Sequence, residues 1–272
     1  QRQMCIRDSN IVKQNKNKIE EFLNKNLKSN TRIILTGAGT SDYVGDSLYL
    51  HLAKTLNLRV EAIATTDLVS NPHEFLEEDT KTILVSYARS GNSPESIGAY
   101  DIFKDNVKDI AQLVITCNEE GQLARKSLED ENTLCLLMPK ESNDKSFAMT
   151  SSFSCMLLAT LLTFDIKNLE QNKKYVDIIS DKADFILDND WKEIIELVEL
   201  GCERVVYLGS GALKGLCQEM ALKNLELTSG KTVTVCESVL GFRHGPKSII
   251  NDNTLVTVSY THLRAHETRS NL

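Results

Sequence analysis

Residues 32–42 read RIILTGAGTSD, an apolar run that ends in two glycines and two hydroxyls. An amphipathic stretch follows at 43–56, so the unit reads as a buried strand, a tight turn and a helix. Working outward, RVEAIA (59–64), KTILVSY (81–87), IAQLVITC (110–117) and TLCLLM (133–138) are further Val-, Ile- and Leu-rich runs. Helical patterns lie among them at about 94–106 and 121–129. Strands apolar on both faces and alternating with helices predict right-handed βαβ units and a parallel sheet. Ile11, Ile19, Phe22, Leu23 and Leu27 recur at helical spacing and predict a surface helix over 11–28. MTSSFSCMLLATLLTF (149–164), at 16 residues, is short for a membrane span and predicts a buried helix.

RVVYLGSG at 204–211 repeats the strand and glycine turn of 32–41, which predicts a duplicated α/β unit. The polar segment 166–203, with Trp191 and a face bearing Glu193, Glu196 and Glu199, predicts connecting helices. Three strands can be followed in the second copy: RVVYL, KTVTVCE (231–237) and TLVTV (254–258). A sheet of only three would present an unpaired edge, a predicted aggregation liability.

The termini read differently from the rest. QRQMCIRDS (1–9) and the stretch from Val258 to Leu272, beginning VSYTHLRAHET, match translated sequencing-adaptor codons, and are expected to be scars outside the fold. The expected organisation is therefore scar at 1–9, first domain with its N-terminal helix at 10–165, connecting helices at 166–203, partial second domain at 204–257 and scar at 258–272. Without Arg2, Arg7, Arg264, Arg269, Asp8 and Glu267, 27 basic residues face 36 acidic ones. That balance argues against a nucleic acid or an anionic membrane as the main partner. Six cysteines remain without a CxxC pair, which suggests neither a disulfide framework nor a zinc site but a reducing cytoplasm. His51, His73 and His244 are the remaining histidines, too few for a histidine-rich metal centre.

An acidic chain can still hold a small anion through hydroxyls and backbone amides. TGAGTSD offers Gly39, Thr40 and Ser41 between a strand and a helix, where glycine admits close backbone approach. The alternative is a simple tight turn with Ser41 as helix N-cap. No third glycine and no GK[ST] follows, so neither nucleotide fingerprint is present. SYARSGNSPES (86–96) is sharper: Ser86, Ser90, Ser93 and Ser96 surround Gly91, and Pro94 suits the first turn of the next helix. These hydroxyls at a strand's carboxyl end point to phosphate binding. The competing reading is a serine-rich loop with one N-cap.

Together GAGTS (37–41), SYARSGNSPES, FAMTSSFS (147–154), ALKNLELTSGK (221–231) and ESVLGFRHGPKSII (237–250) resemble the SIS, or sugar isomerase, family. The likeness covers nearly all of 10–257, and RSGNSPES resembles the galactosamine-6-phosphate deaminase/isomerase type, also called tagatose-6-phosphate ketose/aldose isomerases. The resemblance implies two tandem SIS domains, each a five-stranded parallel sheet flanked by helices in a flavodoxin-like order, the second truncated. It implies phosphate contacts from Arg89, Ser90 and Ser93, with Thr150 of FAMTSSFS in the site. Ala88 stands where the related glucosamine-6-phosphate synthase has a serine, and Ser86 or Arg89 is expected to compensate. Glu226 matches the glutamate that moves a proton between C1 and C2, and His244 the histidine linked to ring opening. The chemistry requires such a pair: one base for the carbon proton and a separate acid/base for the ring. Without a family, Glu226 reads first as a solvated helix residue, the usual place of a helical glutamate, and His244 as a structural loop histidine.

The expected function is conversion of galactosamine 6-phosphate to tagatose 6-phosphate and ammonia, with no cofactor and no metal, in a cytoplasmic homo-oligomer whose histidine comes from the neighbouring subunit. The alternatives are an isomerase or deglycase for another hexose or hexosamine 6-phosphate, and a non-catalytic sugar-phosphate-binding regulator. A fragment of such an enzyme is expected to lack part of its site.

Overall fold

The computed structural model describes residues 9–260. The adaptor-like residues 1–8 and 261–272 lie outside the described residues. The chain divides into two units, Gln1–Ile195 and Glu196–Leu272.

In the first unit, β1 (Arg32–Thr36), β2 (Arg59–Ala62), β3 (Thr82–Ala88), β4 (Ile110–Thr116) and β5 (Thr133–Leu137) form one parallel sheet in the order β2-β1-β3-β4-β5. This is the five-stranded, flavodoxin-like order that the resemblance implies. Between the strands run α1 (Lys16–Asn26, preceding β1), α2 (Thr40–Leu56), α3 (Thr65–Ser70), α4 (Pro94–Asn106) and α5 (Gln122–Leu128), and α6 (Ser151–Phe164) follows β5. The expected strand over 59–64 stops at Ala62, and α3, a single short turn-and-a-half, is absent from the sequence reading.

Alternation along the strands assigns the helices to two layers. Ile33, Leu35, Ile83, Val85, Tyr87, Leu113 and Ile115 bury against Ile19, Phe22 and Leu23 of α1, Val44, Leu48 and Leu52 of α2, and Cys155, Met156, Ala159 and Leu162 of α6. On the other face Ile34 and Leu84 meet Leu68 of α3 and Ala99 and Phe103 of α4, while Val114 and Ala88 meet Tyr100 and Leu123. Each fully buried aliphatic or aromatic side chain contributes about 1.5–3 kcal/mol. The carboxyl ends of β1 and β3 meet where the strand order reverses, and both glycine- and serine-rich turns leave the sheet there.

Residues 166–199 are helical, with a short 3₁₀ turn at Ile166–Asn168, then α7 (Leu169–Asn189) and α8 (Trp191–Glu199). The second unit holds β6 (Arg204–Gly209), α9 (Ala212–Leu227), β7 (Val233–Glu237) and β8 (Thr254–Ser259), with parallel order β7-β6-β8. β8 continues to Ser259, paired with Gly209, so Val258 and Ser259, expected to lie in a scar, are strand residues here. The two glycine turns share a backbone: Gly39 has φ 58°, ψ −125° and Gly211 φ 60°, ψ −133°, each capping the following helix. β7 and β8 are each paired on one side among the described residues, and Val233 is exposed on β7.

Candidate functional site

The turn after β1 is held by close packing. A Cβ on Gly37 would lie 2.4 Å from the carbonyl carbon of Ser41, so only glycine fits where the chain doubles back into α2. The Gly37 carbonyl accepts from the Thr65 amide at 2.7 Å and the Thr65 hydroxyl at 3.0 Å, which ties α3 to this turn. Gly39, not Ser41, is the N-cap of α2, because its positive φ turns the chain before the helix begins. Ser41 is a buried first-turn residue beside buried Thr40, and Gly39 is exposed.

The neighbouring Asp42 is half-buried. Burial, reinforced by the nearby carboxylates of Asp46 and Asp67, pushes its pKa from the ordinary 3.8 to about 7. The folded chain therefore binds this proton more tightly than the unfolded one. Asp42 costs stability progressively as pH rises from about 4 through 7, and the full cost persists above that window. Asp42→Asn is expected to melt with wild type at pH 4 and above it at pH 8; equal melting temperatures at both pH values would contradict this.

After β3, the chain passes through Arg89 and Ser90 to Gly91, whose φ of 65° favours glycine. Ser93 is the N-cap of α4: its Oγ accepts from the Ser96 amide at 3.2 Å and donates to Ser96 Oγ at 2.7 Å. Pro94 occupies the first helical position, as expected. The N-cap reading is thus realised at Ser93, and Ser96 is buried as its partner. Ser86 is enclosed; its Oγ and that of its register partner Thr36 on β1 make no hydrogen bond. Ser90 is partly exposed. Of the four serines, Ser90 combines access with freedom from a capping role.

The first turn of α5 fixes this loop. Asn92 Oδ1 accepts from the Gln122 amide at 3.0 Å, Gly91 O accepts from the Leu123 amide at 2.9 Å, and Asn118 Nδ2 donates to Ser90 O at 2.9 Å. Asn92 and Asn118 were not visible as site-shaping residues in the sequence, although Asn92 lies inside RSGNS. Arg89 Nη1 donates at 3.4 Å to the carbonyl of Asp144. Asp144 in turn receives the amides of Thr150, Ser151 and Ser152 and the Ser152 hydroxyl at 2.8–3.2 Å, so a carboxylate of this chain occupies the start of α6.

Burial alone would raise the Asp144 pKa, but the Ser152 amide and hydroxyl and the Thr150 and Ser151 amides outweigh it and hold the carboxyl below its usual range. This contribution to stability is present above the ordinary carboxylate pKa and is lost as pH falls through the lowered folded value. Asp144→Ala is expected to cost roughly 1–2 kcal/mol, as for a lost helix cap, read as a lower denaturant midpoint at neutral pH. A midpoint equal to wild type would refute the cap. Thr150 itself is exposed and contributes its amide to Asp144.

In the second unit, Glu226 lies one residue before the end of α9 and is half-buried, not a freely solvated residue. Lys223 Nζ sits 2.5 Å from Glu226 Oε2, a partner that the sequence reading passed over although ALKNLE contains it. His244 is exposed and closes the 3₁₀ turn Gly241–Arg243 beyond β7. The structure does not bring the two together within the unit. α9 covers one face of the β6–β8 sheet: Thr234 Oγ1 donates to Ala221 O, Cys236 Sγ to Lys214 O, and Asn224 to the Tyr207 hydroxyl. The segment carrying His244 covers the other face, where Val206 and Leu208 pack on Phe242 with Val239 and Ile249. Pairing of Lys214 with Cys236 and of Ala221 with Thr234 shows that α9 runs against the strands, so Glu226 lies toward the edge from which the strands start.

Among the described residues no cluster of three or more His, Cys, Asp or Glu side chains could hold a metal ion. No helix among them is long and apolar enough to cross a membrane.

A family model for the SIS domain matches residues 26–165. The chain is 47% identical over 234 residues to D-galactosamine-6-phosphate deaminase AgaS of Shewanella sp., covering 85% of this chain and 59% of that protein. It is 43% identical over 233 residues to the protein of the same name from Escherichia coli, covering 85% of this chain and 60% of that protein. The chain therefore spans about three fifths of the length of these relatives. The crystal structure of tagatose-6-phosphate ketose/aldose isomerase from Escherichia coli superimposes with a TM-score of 0.88 at 40% identity, covering 95% of this chain and 70% of that one. With its sheet order, its turns and these matches in agreement, the chain belongs to the SIS domain family.

Proposed function

We propose that this protein acts on galactosamine 6-phosphate, converting it to tagatose 6-phosphate and ammonia. The observation that carries the reading is identity of 43–47% with relatives named as galactosamine-6-phosphate deaminases across 85% of the chain. In this reading the phosphate rests on the 86–96 loop, with Ser90 as its principal hydroxyl, Arg89 adding charge and the turn at Gly39–Ser41 beside it. His244 moves the proton that opens the ring to the C1 aldehyde. Glu226, as carboxylate, takes the proton from C2 and returns it at C1, leaving a C1 hydroxyl and a C2 imine. Water adds to the imine, the C2–N bond breaks, and the ketone and ammonia leave. The steps balance without an external oxidant or reductant.

The second unit is read as a partial second SIS domain, on the strength of the shared glycine-turn backbone at Gly39 and Gly211. The full-length chain is accordingly the form to assay. The working enzyme is read as a homo-oligomer in which His244 serves the Glu226 of another copy. What supports this is the β6–β8 sheet standing between the two side chains, together with the exposure of His244.

The test is incubation of the full-length chain with galactosamine 6-phosphate, glucosamine 6-phosphate and fructosamine 6-phosphate in parallel. Ammonia and tagatose 6-phosphate are expected in equal amounts from the first. Ammonia from glucosamine 6-phosphate alone would move the assignment to another hexosamine phosphate, and binding without turnover of any would favour a sensor.

A further inference from the structure

α7 carries apolar side chains on two sides, and only one side is covered. Leu169, Val176 and Ser180 are buried, Leu169 as part of the first unit's core. On another side of the helix Tyr175, Ile178, Ile179, Phe185 and Ile186 recur at spacings of three, four and seven residues and stand 47–63% exposed. Single apolar side chains on a surface need no explanation, but a stripe at helical spacing marks a face that packs on something. Asp181, Lys182, Phe185, Ile186 and Asp190 border an open hollow of about 540 Å³ at the far end of this stripe.

The charges beside the stripe run against the helix that bears them. Aligned peptide dipoles favour cations in the last turns, yet Asp184 and Asp188 stand there, Asp190 is the C-cap and the last turn holds no basic residue. Lys173 and Lys174 lie in the opposite half. A parallel neighbour of the same sequence would set acidic end on acidic end. An antiparallel one sets Lys174 opposite Asp188, which lies two heptads later along the same edge of the stripe, and symmetry makes that pair twice. The same register brings Tyr175 level with Phe185 and Ile186, so each tyrosine ring meets the hollow of the other copy.

We infer that a second copy of this chain docks on the exposed stripe of α7, the two helices running antiparallel about a twofold axis level with residues 180–181. The stripe, the hollow and the charge order are then one self-complementary surface, apolar at its centre and paired in charge at its ends. The inference names the contact for the homo-oligomer proposed above, and it rests on that reading for the association of copies; it does not use the assignment of Glu226 or His244.

The experiment is sedimentation equilibrium of the full-length chain as wild type, Ile179→Asp, Lys174→Glu, Asp188→Lys and the Lys174→Glu/Asp188→Lys double variant. All three positions are exposed, so the fold is expected to persist. Ile179→Asp, at the middle of the stripe, is expected to halve the mass of the assembly. Each single reversal is expected to weaken association at least about tenfold, and the double variant to return within about threefold of wild type. Residues fourteen apart stand about 21 Å apart along a helix, so such a rescue arises between two copies and not within one. A wild type that sediments as a single chain, a mass unmoved by Ile179→Asp, or a double variant as weak as the single ones overturns the inference. Ammonia release is read on the same samples: a wild type that associates in this way and releases none overturns the proposed function and leaves the pairing standing, and release by a wild type whose mass Ile179→Asp leaves unmoved does the reverse.

Discussion

Glu226→Gln is expected to lower ammonia release from galactosamine 6-phosphate by roughly 10²- to 10⁴-fold, the range associated with removal of a general base. Affinity for the sugar phosphate should stay within about a factor of two, because the proposed function assigns phosphate recognition to the loop after β3. The amide keeps the shape of the carboxylate and can still meet Lys223, now 2.5 Å from Glu226 Oε2, so the fold should persist. Lys223 also retains Glu219 at 3.5 Å. The variant should therefore bind without turning over. Equal turnover in Glu226→Gln and wild type would show that another group moves the proton; loss of binding in parallel with turnover would show that Glu226 holds the substrate.

The second large effect is expected from mixing two inactive proteins. His244→Asn alone and Glu226→Gln alone should each be inactive in releasing ammonia. If His244 of one copy serves Glu226 of another, a subunit mixture contains sites with both native side chains. For a symmetric dimer after full exchange, half of the molecules are mixed and each has one intact site, so activity should recover to about a quarter of wild type. The β6–β8 sheet between α9 and the segment bearing Phe242 and His244 is the physical reason for expecting recovery. No recovery in a mixture shown by mass to have exchanged subunits would place both groups in one chain's own site.

The sheet was legible in the sequence because its strands are apolar on both faces. RIILT and its four companions carry their own signal, and Pro94, which follows the N-cap Ser93, marks the start of α4. What escaped was set by contacts distant in sequence. α3 is too short to show a helical period, and the Thr65 bonds to Gly37 hold it in place. Ser41 has the residue type of an N-cap, yet backbone geometry gives that position to Gly39. The serines of SYARSGNSPES looked alike in sequence, but packing separated them: Ser86 enclosed, Ser93 and Ser96 bonded to each other, Ser90 accessible.

The candidate catalytic residues show the same division. Their identity came from motifs, since a helical glutamate and a loop histidine have ordinary structural uses. Their surroundings came from the fold: Lys223 beside Glu226 could be guessed from spacing, but the burial of Glu219 and the opposed faces of α9 and the His244 segment could not. Asp144 illustrates the point again, because its bonds to the first turn of α6 span six to eight residues of irregular chain.

The most direct measurement is titration calorimetry of galactosamine 6-phosphate into the full-length chain and its Ser90→Ala variant. Saturable heat with wild type and affinity at least about tenfold weaker in the variant are expected, as for loss of a hydrogen bond to a charged group. Equal affinity in the two proteins, or no saturable heat with wild type, would contradict a phosphate held by the turn between β3 and α4.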